Sequence, residues 1–139
     1  MTINEIQNQI IEEFEGLDDW MDRYALLIDY GNELESLPEQ YRTDNNLIEG
    51  CQSKVWLQAD KDGDKIRYQA DSDAILVKGM VALLVRVLNE QPIHDILDAD
   101  LYFIDKIGLK EHLSPTRSNG LLAMVKQMRL YALAFSVKQ

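Results

Sequence analysis

Val55-Trp56-Leu57-Gln58-Ala59 and Ile66-Arg67-Tyr68-Gln69-Ala70, joined through Lys61-Asp62-Gly63-Asp64, decide the fold class. Both runs are β-prone. Asp-Gly between two such runs is a hairpin signal, because the turn needs a positive φ that glycine adopts without strain. An antiparallel hairpin is therefore expected in the middle of the chain. Immediately upstream, Leu47-Ile48-Glu49 reads as a further short strand that runs into Gly50-Cys51-Gln52-Ser53. That order puts Cys51 at the rim of the sheet.

On either side of these runs the pattern turns helical. After the hairpin, Asp71-Ser72-Asp73 offers N-cap groups and first-turn acids, and Ala74 to Leu88 is apolar on nearly every side. A helix of that kind belongs at the centre of the core, and at about fifteen residues it is too short to span a bilayer. Toward the N-terminus, Thr2-Ile3-Asn4-Glu5 has the form of a capping box. Ile3, Ile6, Ile10 and Phe14 follow at helical spacing, and Gly16 interrupts them. Leu17, Trp20, Met21, Tyr24, Leu27 and Ile28 make a second stripe. Leu34 to Asn46, with Pro38, reads as a loop, and Pro92 opens a short helix from Ile93 to Leu97. Ser114-Pro115 starts the last helix, whose face is Leu121, Val125, Met128, Ala132 and Phe135. The expected class is α+β: a small antiparallel sheet of about three strands packed by helices, in one domain over residues 1–139.

Composition narrows the function. Of 139 residues, 14 are Lys or Arg and 24 are Asp or Glu, a formal net charge of −10. That balance repels phosphate backbones and anionic membrane surfaces, so neither nucleic acid nor membrane is an expected partner. Met1-Thr2-Ile3-Asn4-Glu5 lacks the basic stretch and apolar run of a secretory signal. A single unpaired cysteine suits a reducing compartment. The expected location is the cytoplasm.

Cys51 is the only cysteine. It has no second thiol for a disulfide, and by itself it cannot hold zinc or an iron–sulfur cluster, sites that want about three or four ligands. No metal site is expected. Its chemistry is that of one thiolate, nucleophile or carrier, and the simpler reading is a buried small hydrophobe. A Cys–His hydrolase would need His94 or His112, the only histidines, within reach of the sulfur, and both look like solvated helix residues. In Ser114-Pro115-Thr116-Arg117-Ser118-Asn119-Gly120, poor helix formers and a helical glycine, worth roughly 1 kcal/mol against alanine, point to a packing or binding reason. Arg117 adds a permanent cation near a helix N-terminus; the alternative is a plain surface cap. Asp71 and Asp73 could form a metal or acid–base pair but read more simply as helix-start charge. Lys78 reads as a snorkelling end group, Trp56 and Met80, Met124 and Met128 as core, and Gly79 as a close-packing point.

Three runs carry a resemblance. Gly50-Cys51-Gln52-Ser53-Lys54-Val55-Trp56-Leu57, Asp71-Ser72-Asp73-Ala74 followed by Val77-Lys78-Gly79, and Leu113-Ser114-Pro115-Thr116-Arg117-Ser118-Asn119-Gly120-Leu121 occur in that order. With these the chain resembles the SufE family, including its CsdE-like branch, over nearly its whole length. The resemblance implies a fold similar to the scaffold IscU. It implies a sulfur carrier that takes persulfide sulfur onto Cys51 from a cysteine desulfurase of SufS or CsdA type and stimulates that enzyme. The carrier then passes sulfur to a SufBCD-type scaffold for iron–sulfur cluster assembly. No stand-alone catalysis and no cofactor of its own are implied, since pyridoxal phosphate sits on the desulfurase. The resemblance makes Gly50 a hinge beside Gln52 and Ser53, assigns desulfurase contact to Arg117 with Ser118 and Asn119 beside it, and places Asp71 and Asp73 in a region linked to the loop and interface. The rival from another class is a binding module that regulates a partner, with Cys51 incidental.

Overall fold

The computed structural model describes residues 1–137. The hairpin forms around Gly63, whose φ is +62°. Strand β1 (Val55–Asp62) pairs antiparallel with β2 (Lys65–Ser72), from Val55 opposite Ser72 to Asp62 opposite Lys65. The inward residues Val55, Leu57, Ala59, Ile66, Tyr68 and Ala70 are buried, while alternate positions face outward, the period-2 pattern of a half-covered sheet. The Tyr68 hydroxyl reaches across the core to donate to the Met128 carbonyl at 2.7 Å.

The third strand differs from the expected one. It is β3 (Gln91–Pro92), paired with Lys65 and Ile66 of β2, so the sheet order is β1-β2-β3. Proline is tolerated there because an edge strand leaves one N–H side unpaired. Leu47-Ile48-Glu49 shrinks to one bridge, Leu47 with Trp56, next to an Ile48 N–H donated to the Val55 carbonyl at 2.9 Å. A 3₁₀ turn over Asp44–Asn46 on one side and Gly50 on the other leave no length for a strand.

Helices α1 (Ile3–Glu15) and α2 (Trp20–Glu33) are separate elements that touch where Phe14 packs on Tyr30, with ring centres 6.2 Å apart. The capping box is present, with Glu5 N–H on Thr2 Oγ1 at 3.1 Å and Thr2 N–H on Glu5 Oε1 at 2.9 Å. Helix α3 (Ile75–Leu88) is the central element, with Gly79 and Met80 to Leu84 buried in sequence. A Cβ at Gly79 would lie 2.1 Å from the Leu27 carbonyl oxygen, so only glycine lets α2 and α3 cross this closely. Helix α3 starts at Ile75 after Ala74, with no side-chain cap. The expected cap residues are used otherwise: β2 runs on through Asp71 and Ser72 before the helix can begin. Three short helices, α4 (Ile93–Asp98), α5 (Phe103–Lys106) and α6 (Leu109–His112), lead to α7 (Pro115–Val137). Pro92 stands immediately before α4, which starts at Ile93 as expected and runs one residue further, to Asp98. Leu121, Met124, Met128 and Ala132 bury the inner face of α7, with Val125 and Phe135 half-buried beside it.

Candidate functional site

Residues 49–53 form a short loop whose base is fixed on both sides. Ile48 is bonded to Val55. Lys54 donates its N–H to Asp73 Oδ1 at 3.0 Å, and its carbonyl accepts from the Asp73 N–H at 3.1 Å and the Ser72 hydroxyl at 2.9 Å. Between these anchors Gly50 holds a φ of +92°, a left-handed conformation that side chains other than glycine's resist. The turn it makes sends Cys51 under α7.

The thiol ends on a notch in that helix. Cys51 Sγ donates to the Gly120 carbonyl at 3.5 Å, and a Cβ on Gly120 would approach the sulfur to 3.3 Å. A glycine in the second turn of a helix is thus explained by the space it leaves for the sulfur. Ahead of it, Pro115 occupies the first helical position and the Ser114 hydroxyl accepts from Arg117 N–H at 3.3 Å.

Loop and helix together close one side of a cavity of about 460 Å³. Its floor is apolar: Val77, Met80, Val81 and Leu84 from α3, and Leu121 and Met124 from α7. Polar residues surround the rest, with Gln52, Ser53, Ser114, Thr116 and Arg117 among them. Cys51 is half-buried, and burial pushes its thiol above the ordinary thiol range, because the apolar floor disfavours the thiolate. Among the described residues lining the cavity there is neither histidine nor carboxylate to act as a base.

The sequence candidates thus divide. Cys51, Gln52, Ser53 and Arg117 share the cavity, and Gly50 shapes the loop that carries the thiol. Ser118 and Asn119 lie in the first turns of α7 outside its lining, half-buried and exposed respectively. Asp73 is an anchor of the loop base rather than a helix cap. Asp71 is buried within β2, paired with Arg42 and, at 3.4 Å, with Lys78 Nζ. Burial alone would raise its pKa; the Ser72 N–H, Arg42 and Lys78 outweigh it and hold the carboxyl below the usual range. Lys78 is half-buried, with its Nζ on this carboxylate. Trp56 is only half-buried, its ring lying 5.1 Å from the Arg42 guanidinium carbon. The Cys–His arrangement does not form: His112 stacks on Trp20 with ring centres 3.9 Å apart, and His94 pairs with Asp95. The family resemblance implies that Cys51 packs toward an apolar cavity, but sequence reasoning did not name the aliphatic residues of its floor. Its signal was present in the all-round greasiness of α3, which reads equally as plain core.

Among the described residues no group of three or more His, Cys, Asp or Glu side chains is placed to hold a metal ion. None of the described helices is long and apolar enough to cross a membrane.

Residues 8–132 match the SufE family model, a domain associated with Fe-S metabolism. A SufE-like protein of Rhizobium etli is 43% identical over 127 residues, covering 88% of this chain and 86% of that protein. A SufE-like protein of Synechocystis is 40% identical over 131 residues, covering 94% and 82%. SufE-like protein 1 of Arabidopsis thaliana, chloroplastic/mitochondrial, is 40% identical over 131 residues, which are 94% of this chain but 35% of that longer protein. The solution structure of a hypothetical protein from Thermus thermophilus superposes with a TM-score of 0.76 at 24% identity, covering 93% of this chain and 94% of the other, and so shares the fold.

Proposed function

The chain belongs to the SufE family, whose domain is associated with Fe-S metabolism, and we propose that Cys51 is its sulfur acceptor. The donor is a cysteine desulfurase carrying a persulfide on its own cysteine. The Cys51 thiolate attacks the outer, sulfane sulfur of that persulfide. A new sulfur–sulfur bond forms on Cys51 Sγ as the donor's bond breaks, and the donor cysteine leaves as a thiolate that takes up the proton Cys51 gave up. Sulfur changes carriers and no outside oxidant or reductant is needed. The chain performs no turnover alone; its service is to draw off the persulfide and thereby stimulate the desulfurase, whose pyridoxal phosphate stays with it. A SufBCD-type scaffold receives the sulfur. This exchange suits a reducing compartment such as the cytoplasm.

The observation that carries this reading is the lone thiol, half-buried on the Gly120 notch at the end of a glycine-hinged loop. Burial keeps it protonated and slow at rest. Moving the loop outward into a docked partner removes that suppression. With no base in the cavity, activation by docking replaces activation by a neighbouring histidine. Arg117, exposed at the α7 end of the cavity, supplies the fixed positive charge that steadies an anionic persulfide or a partner carboxylate during transfer.

The test is mass spectrometry of the Cys51 peptide after incubation with a desulfurase of SufS or CsdA type and free cysteine. The expected result is a gain of one sulfur atom. Cys51→Ser should lose both that gain and the stimulation of the desulfurase while keeping its melting temperature. Full stimulation by Cys51→Ser would overturn the reading.

A further inference from the structure

Helix α7 opposes the charge of the rest of the molecule. Residues 1–37 hold ten acids and one base, Arg23, and the whole chain nets −10. Helix α7 carries Arg117, Lys126 and Arg129 and no acid. Its outward face is not polar either: Leu122, Leu130 and Leu133 are 43%, 45% and 51% exposed. The spacing 122, 126, 130, 133 places these leucines and the exposed Lys126 along one side of the helix. Large apolar side chains lined up on a cationic helix mark a contact surface more than a solvated one.

The ridge adjoins the sulfur site. Lys126 and Leu130 border two shallow grooves, one toward Leu97 and the other toward the segment from Asp44 to Glu49 that leads into the Cys51 loop. In the same stretch, Ala123 Cβ lies 3.5 Å from where a Gly50 Cβ would sit. A body large enough to cover the loop therefore reaches the ridge.

We propose that this ridge is a docking strip for an acidic surface of the desulfurase that charges Cys51, an assignment that rests on the acceptor reading above. A second copy fits less well. Two α7 ridges would oppose like charges, and the acidic α1–α2 side of another copy laid on the ridge would wall off the loop. An anionic membrane would meet the repulsion of the remaining acidic surface, including Asp44 and Glu49 on the facing wall of the groove. A protein can shape its acids to meet Lys126 and clear those carboxylates.

The test compares the parent protein with Lys126→Glu/Leu130→Ser/Leu133→Ser, all at exposed positions, by calorimetric titration into the desulfurase at low and high salt. The triple variant should bind at least about tenfold more weakly. Lys126→Glu alone, which removes little apolar contact, should bind severalfold more weakly and show a flatter salt dependence. Both variants should still accept sulfur at Cys51 from a small organic persulfide at the parent rate, which shows an intact thiol. Unchanged desulfurase binding by the triple variant overturns the strip while leaving the acceptor reading untouched. A parent protein that binds the desulfurase through the strip but never gains sulfur overturns the acceptor reading alone. A parent protein that does not bind overturns both. Sedimentation with phosphatidylglycerol vesicles, or a parent dimer that the variant abolishes, would assign the ridge to a different occupant and overturn the desulfurase.

Discussion

Strand β1 has a glycine-bearing loop at each end, and the two differ in what covers them. At the hairpin end Gly63 sits at φ +62° with nothing within 4 Å of a Cβ position, so the turn stands in solvent. At the other end Gly50 sits at φ +92°, faces Ala123, and delivers Cys51 onto Gly120, 69 residues further along the chain. Both loops solve the same backbone problem with the same residue. Only the second is closed by a distant helix, and that closure turns a connector into a site.

The largest effect is expected on the helix side. Gly120→Leu fills the notch, so the thiol must leave it; alkylation of Cys51 by iodoacetamide should speed up clearly, because burial is what holds the thiol pKa above its ordinary range. An unchanged rate would mean that the notch does not restrain the sulfur. Next, Gly50→Ala and Gly63→Ala should each destabilise the fold by about 1 kcal/mol in urea titrations, since each forces a Cβ into the left-handed region. Only the Gly50 change should alter sulfur acceptance. Equal effects on acceptance would erase the distinction between the two ends. Asp73→Ala removes the acceptor for Lys54 N–H at the base of the Cys51 loop. About 1 kcal/mol of local stability should go with it, read as faster hydrogen exchange of the Lys54 amide with no change at the hairpin turn.

The smallest effect is a pH dependence. The thiol pKa is raised in the folded state by burial. The native protein therefore keeps a proton that the unfolded chain gives up, and stability contributed by this group falls as pH rises through the thiol range. Cys51→Ser should flatten that slope in thermal melts taken at alkaline pH, whereas Gly63→Ala should leave it alone.

What could be read in advance follows the same division between local and distant causes. The hairpin turn, the capping box, the buried α3 and the Ser114-Pro115 start of α7 each depend on residues within a few positions, and their chemistry is visible in one dimension. The strand Gln91–Pro92 spans two residues and shows no alternation to detect. Leu47-Ile48-Glu49 has the composition of a strand but not the room. Asp71 stands where a helix cap would, yet Arg42 and Lys78 draw it into an ion-pair cluster that no local rule describes. For the site, the helical glycine at position 120 announced a reason for its presence. That the reason was the sulfur of Cys51 could be known only after α7 folded back across the loop.

The clamped base of residues 49–53 sets a limit on travel. Only two residues lie between Cys51 and Ile48 on one side and between Cys51 and Lys54 on the other, so its Cα can stand no more than about 11 Å from either anchor even when the segment is pulled straight. For the acceptor role proposed for Cys51, the loop is a short tether, not a swinging arm. In that role most of the approach would fall to the donor, whose own reactive cysteine would have to be brought almost to the surface of this protein before anything could change hands.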